Sequence, residues 1–316
     1  MIEIIGPITR MKSTVEELYD RNRPLFAVAV ANLLLAVVFT GLMAVDSRTL
    51  LGRNVWTKPW KFATSIAIFT ATMGWILPSL SLTDRVEKIA TYTISGAMTI
   101  EIVLISTQAA RGVASHFNRS TALDTTIFMI MGITITISSI AVAYVLWRVV
   151  RNPPALPPAY LWGIILGMFV FVLASFQGWL MIAQGGHGVG APNDSPGLPL
   201  LNWSLTGGDL RVSHFVGLHA LQILPLTGYY AERRVRGSSR RALGILSVIG
   251  GIYVLFTVAV FIQALRGTPL VGAFNIPAIP PSAVAAVLLI GAICGTAGLA
   301  ALWQRRSASY SSARGD

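Results

Sequence analysis

Eight apolar segments constrain the fold of this chain more than any other feature. A helix needs about 20 residues to cross about 30 Å of hydrocarbon. Segments of that length occupy residues 24–45, 62–82, 89–110, 125–147, 160–184, 213–231, 243–265 and 282–303. Because the bilayer interior holds no water to bind backbone polar groups, segments of this kind fold as helices. The sequence therefore predicts an all-α, polytopic transmembrane helical bundle with eight helices.

Composition agrees with a membrane protein and excludes other classes. Only 12% of the 316 residues are charged and 54% are hydrophobic, whereas soluble domains carry about 25% charged residues. The basic residues behind the net charge of +11 form short clusters between the apolar segments, which is typical of membrane-surface loops. We therefore expect the lipid bilayer as a partner and no nucleic acid. The single cysteine, Cys294, excludes an intramolecular disulfide and a cysteine-cluster metal motif.

The basic residues also predict an orientation. Roughly two thirds of the 24 lysines and arginines fall in the N-terminal leader or in connections on the same side of the bundle, and that side is normally cytoplasmic. We expect both termini in the cytoplasm and the chain in an inner or plasma membrane. Residues 1–23 then form a cytoplasmic leader and 304–316 a basic cytoplasmic tail. Residues 24–303 form one transmembrane domain, with a long extracytoplasmic loop at 185–212.

In this topology all four histidines lie on the extracytoplasmic side. His116 follows the third segment, His187 follows the fifth, and His214 and His219 begin the sixth. Imidazole is the commonest transition-metal ligand and also binds haem iron, so haem or a transition metal is one predicted cofactor for these four residues. Against this, the last two histidines diverge by about 140° on a straight helix, and no HExxH, HxxxH or CxxC pattern occurs. The alternative is that each histidine is a hydrogen-bonded interfacial residue.

The third segment carries an ionisable residue within the membrane. Glu101 and Gln108 are seven residues apart and share a helix face, and Arg111 lies about 80° from Glu101. An ionisable group at such a depth is costly and is a functional candidate by default. The alternative is a protonated or hydrogen-bonded carboxyl that joins helices together.

The sixth segment carries a polar stripe. Arg211, His214, His219 and Gln222 fall within an arc of roughly 140° on a helix. Asp209 precedes the segment at the position of a helix N-cap. We expect Asp209 to cap the helix and also group it with Gln108 and Gln222 as a substrate-binding candidate.

Basic residues at the outer helix ends suggest a second chemistry. Arg111 and Arg211 can orient an anionic substrate or a lipid phosphate. Lys58 and Lys61, in the sequence WTKPWKF, are expected to extend toward lipid headgroups, as basic residues at helix ends commonly do.

The connection from Gln184 to Val212 is long for a compact bundle and rich in glycine and proline. Loops of this length are usually functional or disordered. Trp203 and several leucines predict that the loop folds back as a lid, and the competing interpretation is a flexible connector.

Three functions fit these features. The leading hypothesis is a metal- or haem-dependent membrane oxidoreductase with the four histidines as ligands and Glu101, Arg111 and Arg211 as catalytic groups. The first alternative is a proton-coupled small-solute transporter or channel, in which Glu101 carries the proton. The second alternative is a non-catalytic membrane scaffold or assembly protein whose buried polar groups only hold helices together.

Overall fold

The described part of the chain is helical apart from two short hairpins. A computed structural model describes residues 14–194, 197–198, 201–235 and 238–271. Residues 14–21 form a short helical segment. The long helices are α1 (Arg23–Val45), α2 (Thr57–Ile76), α3 (Asp84–Ala110), α4 (Ala122–Arg151), α5 (Pro158–Ala183), α6 (Leu210–Arg234) and α7 (Ser239–Leu265). A 3-10 turn, Leu77–Ser79, continues α2. The eighth predicted segment, Cys294 and the predicted tail lie outside the described residues.

Six of these helices are long and apolar enough to cross a membrane, namely α1, α2 with its 3-10 turn, α3, α4, α5 and α7. The chain is therefore a helical bundle of the multi-pass membrane type. Helix α6 is outside this set although it has 25 residues, because its polar stripe and its terminal arginines interrupt the apolar sequence. The number of spans and the cytoplasmic position of the termini stay predictions.

Several of the helices begin at a polar N-cap residue. The first backbone N–H groups of a helix have no partner within the helix, and an N-cap side chain supplies one. Asn22 accepts from the Leu25 N–H at the start of α1. Thr121 caps α4 and Asp209 caps α6 in the same way. The cap predicted at Asp209 is confirmed.

Three connections meet at one end of the bundle. In the α1–α2 connection, β1 (Thr49–Leu50) pairs with β2 (Arg53–Asn54). In the long loop, β3 (Gly188–Val189) pairs with β4 (Gly208–Asp209). Arg48 Nη1 donates to the Ala110 carbonyl at the end of α3, at 2.9 Å, and Arg53 Nη2 donates to the Gly197 carbonyl in the long loop, at 2.5 Å. We call this end of the bundle, formed by residues 46–56, 111–121 and 184–209, the loop face.

Helices α5 and α6 approach each other closely through glycine. A Cβ atom on Gly163 would clash with the backbone carbonyl of Leu224, and one on Gly228 would clash with that of Ala159. Small residues at such positions let helix backbones come together and compensate for the absence of a hydrophobic driving force between helices in lipid. This contact fixes α6, and with it the polar stripe, against α5.

We expect Gly163→Ala and Gly228→Ala each to destabilise the bundle by roughly 1–3 kcal/mol, because an added methyl group overpacks a tight contact. The control is Gly244→Ala in α7, where the space around the glycine is open. Thermal unfolding of the detergent-solubilised chain is the measurement. Equal midpoints for all three variants and the wild type would contradict the close-approach account.

Candidate functional site

Glu101 is a buried carboxyl group with unused hydrogen-bonding capacity. The residue is 4% exposed and lies on α3, about 14 Å below the loop-face end of that helix at a rise of about 1.5 Å per residue. Its Oε2 atom is buried and has no hydrogen-bond partner among the described residues. A buried polar group without a partner costs about 1–3 kcal/mol, so Glu101 is a candidate functional group.

His116 lies directly beside this carboxyl group. Its Nε2 atom is 3.8 Å from Glu101 Oε1, and its Nδ1 atom is 3.2 Å from Ser115 Oγ. The ring packs against Phe62 and Phe128, with centroid distances of 5.6 and 6.2 Å. The imidazole is thus held between an aromatic wall and the carboxyl group, at the start of the α3–α4 connection.

The electrostatic surroundings keep this imidazole neutral. Removal from water, together with the nearby charges of Lys58 and His214, lowers the pKa of His116 well below its ordinary value. A neutral imidazole has one nitrogen that donates and one that accepts. His116 is therefore a group able both to donate and to accept a proton, placed 3.8 Å from Glu101.

Lys58 and Lys61 lie one turn apart at the start of α2. The Lys58 ammonium is 5.9 Å from the ring centroid of Phe62, and its charge interacts with that of Glu101. Lys61 Nζ donates to the Leu201 carbonyl in the long loop, at 3.2 Å. The expectation that both lysines extend to lipid headgroups is wrong for Lys61, which the loop binds, and Lys58 lies with the buried carboxyl group.

Asp209 organises the long loop. Its carboxylate accepts from the Ser204 N–H at 3.0 Å and from Arg211 Nε at 2.9 Å, and His187 Nδ1 lies 3.3 Å away. Burial alone would raise the pKa of Asp209, but the nearby His187 imidazole and the hydrogen bonds from Arg211 hold it well below its ordinary value. The Arg211 guanidinium also donates to the Asn202 carbonyl. These residues fold the loop and close it against α6.

Arg111 and Gln108 belong to a separate network that joins α3 to α4. Arg111 Nη1 is 2.7 Å from Asp124 Oδ1, and Gln108 Nε2 donates to the same oxygen at 2.9 Å. Thr121 Oγ1 donates to the other carboxylate oxygen at 2.7 Å. The Arg111 charge is therefore neutralised by Asp124, and Gln108 is fully buried within the network.

The polar stripe of α6 divides among different neighbours. His214 Nδ1 lies 2.6 Å from the Ala174 carbonyl of α5, and Gln222 Nε2 donates to Thr72 Oγ1 of α2 at 3.4 Å. His219 instead contacts its own helix through the Phe215 carbonyl, at 2.8 Å. With Arg211, which donates to the Asn202 carbonyl of the long loop, the stripe contacts four surroundings rather than one.

The four histidines have different neighbours. His116 lies beside Glu101, His187 pairs with Asp209, His214 lies against the Ala174 carbonyl, and the His219 ring is tilted against Phe215 with centroids 4.1 Å apart. Within the ranges that the structure describes, no group of three or more histidine, cysteine, aspartate or glutamate side chains could hold a metal ion. A histidine site for a transition metal or haem gains no support there and stays a prediction.

Two lysines and a glutamine make contacts at the site that the sequence did not predict. Lys58 and Lys61 lie close together at the start of an apolar helix. This pair of charges was the sequence feature that could have pointed to their role. Gln177 Nε2 donates to Ser213 Oγ at 2.6 Å, joining α5 to the start of α6, and no sequence pattern marks it. We define the acid–base cluster as Glu101, His116 and Lys58, since His116 lies beside Glu101 and both His116 and Lys58 lie against the Phe62 ring.

Comparison with known proteins does not extend this description, since no family model, curated protein or solved structure matches the chain. The function must therefore be argued from the acid–base cluster itself.

We expect Asp209→Asn to destabilise the chain by about 3 kcal/mol at neutral pH, because it breaks a buried ion pair. Since the folded pKa of Asp209 lies below the ordinary 3.8, the stabilisation is present above pH 3.8 and is lost as the pH falls below it. Unfolding midpoints measured across pH check both statements. Asp194→Asn, at an exposed position of the same loop, is the control. Unfolding midpoints that fall equally in the wild type and in Asp209→Asn as the pH is lowered would contradict this role of Asp209.

Proposed function

We propose that this chain is a proton-coupled membrane transporter of a small solute, with Glu101 as the group that carries the proton. The observation that carries the proposal is the state of this carboxyl group. Glu101 lies in a helix able to cross a membrane, is almost fully buried, and makes no hydrogen bond to the described residues. Intramembrane carboxyl groups in such surroundings are characteristic of proton relays.

His116 supports a route between this group and the loop face. Its side chain is 26% exposed, whereas that of Glu101 is 6% exposed, so the imidazole reaches from the buried carboxyl group toward the surface. A neutral imidazole accepts a proton at one nitrogen and donates from the other. In the orientation expected from the basic residues, this route opens to the extracytoplasmic side.

Lys58 lets Glu101 change its protonation state. Burial favours the neutral carboxyl group, because a charge is costly away from water. The Lys58 ammonium favours the carboxylate, because opposite charges attract strongly where the dielectric constant is low. Burial and the Lys58 charge thus act in opposite directions on the protonation of Glu101. A proton carrier needs such a balance, because it must be able to occupy both protonation states.

The same contacts weigh against the two other functions. A scaffold would use Glu101 as a hydrogen-bonded link between helices, yet its nearest ionisable contact is His116 at 3.8 Å. An oxidoreductase with histidine ligands needs several imidazoles at one centre, and His187 and His219 contact other surroundings. Proton coupling uses Glu101 and His116, which do lie together.

The test is proton flux in proteoliposomes that contain the full chain and the pH-sensitive dye pyranine. A panel of small organic anions, inorganic anions and cations is added under an imposed pH gradient. We expect solute-dependent proton flux in the wild type and a fall to the level of empty liposomes in Glu101→Gln. Glutamine keeps the shape of the side chain but does not bind and release the proton.

Glu87→Gln is the matched control, since Glu87 lies on the same helix at its opposite end and should transport like the wild type. Flux in Glu101→Gln equal to the wild-type flux would overturn the proposal. A wild-type chain without solute-dependent flux, purified with stoichiometric haem or transition metal, would favour the oxidoreductase instead.

A further inference from the structure

We propose that the loop face binds an oxyanion, a carboxylate or phosphate group, between Lys58 and Lys61 at the start of α2. This inference rests on the proposed transport function, because it assigns the solute to the class of small oxyanions. The residues that carry it are the lysines that were expected to extend into lipid headgroups.

Four cationic side chains lie in this region. Three of them donate to one stretch of the long loop, and the fourth, Lys58, lies one helical turn before Lys61 on α2. Their charges also influence one another. Arg53 Nη2 donates to the Gly197 carbonyl, Lys61 Nζ to the Leu201 carbonyl and Arg211 Nη2 to the Asn202 carbonyl.

Among the described residues, a neighbouring acid neutralises Arg211 but none forms an ion pair with either lysine. Asp209 is already engaged by the Arg211 guanidinium, with Nε at 2.9 Å, and by the Ser204 N–H. Its carboxylate is 2% exposed and faces His187. Glu101 is the remaining acid, and it opposes the Lys58 charge only in its deprotonated state. One cation therefore loses its counter-charge whenever Glu101 takes up a proton.

The lysines also have unused donors. An ammonium group has three N–H donors; Lys58 uses none of them toward the described residues, and Lys61 uses one, toward the Leu201 carbonyl. A partly buried ammonium without partners is unfavourable, and charge-assisted bonds to an oxyanion are the strongest that it forms. Helix α2 begins at Thr57 without a side-chain cap, so the positive end of its dipole adds to the attraction.

The arrangement couples the anion to the proton. When Glu101 is protonated, an oxyanion replaces the carboxylate as the counter-charge of Lys58. When the oxyanion leaves, the deprotonated carboxylate takes its place. Among the described residues, the other charged or titratable groups around this exchange are His116 from the α3–α4 connection, His214 and Arg211 from α6, and Lys61 from α2. Binding should therefore strengthen under conditions that protonate Glu101.

The test is calorimetric titration of the full chain in phosphatidylcholine nanodiscs, with inorganic phosphate and with acetate as probes and with chloride keeping the ionic strength constant. We expect saturable binding to the wild type. Lys58→Gln and Lys61→Gln should each weaken it by at least about tenfold, while Lys58→Arg keeps the charge and retains more of the binding. Lys88→Gln, at an exposed position of α3, is the control, and size-exclusion chromatography selects folded variants.

A second arm identifies the source of the oxyanion. Failure of both free probes, together with a rise in the unfolding midpoint on adding phosphatidylglycerol that is absent in Lys58→Gln, would make the ligand a lipid headgroup and support the site. Failure of both probes with no lysine-dependent lipid effect would overturn the site. Equal weakening in Lys88→Gln would overturn it as well.

The two proposals fail separately. Lysine-dependent phosphate binding without any proton flux would leave the oxyanion site standing and remove the transport function. Proton flux that depends on Glu101, without oxyanion binding, would leave the transport function standing and remove the oxyanion site. We also expect acetate binding to Glu101→Gln to be strong and to lose the part of the pH dependence that Glu101 causes, because the glutamine imitates the protonated carboxyl group.

Discussion

The structure depends on how charges are compensated away from water. Moving a charge into a medium of low dielectric constant is costly unless a partner of opposite charge and hydrogen bonds compensate it. Asp124 meets this requirement with Arg111, at 2.7 Å, and Asp209 meets it with Arg211, whose Nε donates at 2.9 Å. Glu101 is buried without a hydrogen bond to the described residues. The bundle thus satisfies the charges that fix its shape and leaves one carboxyl group available for proton exchange.

The long loop shows how the same requirement produces order. A segment rich in glycine and proline loses much conformational entropy when it folds. Here the cost is offset by cations from three helix ends or connections, with Arg53, Lys61 and Arg211 all donating to loop carbonyls. The loop is therefore attached to the loop face through the same side chains that would meet an entering anion. In the proposed oxyanion site, binding would for that reason be linked to a rearrangement of these loop contacts.

The sequence predicted the helices well because the length of an apolar segment is a local property. Each of the first seven predicted segments coincides with a long helix, and the cap at Asp209 needed only its position before Leu210. The partners of the charged residues depend on which helix ends meet, which no local pattern encodes. Arg111 and Arg211 were therefore candidates for binding an anion, although acids already neutralise both. Lys58 was assigned to the lipid surface, although it lies beside the buried carboxyl group.

The central claim is that Glu101 takes up and releases a proton while it stays inside the bundle. Infrared difference spectroscopy of the full chain in lipid measures this directly, because a protonated carboxyl group in a dry site has a carbonyl band of its own. The account predicts a band that appears as the pH is lowered, shifts in heavy water and is absent in Glu101→Gln but present in Glu87→Gln. A titrating band that persists in Glu101→Gln, or no titrating band in the wild type, would contradict it.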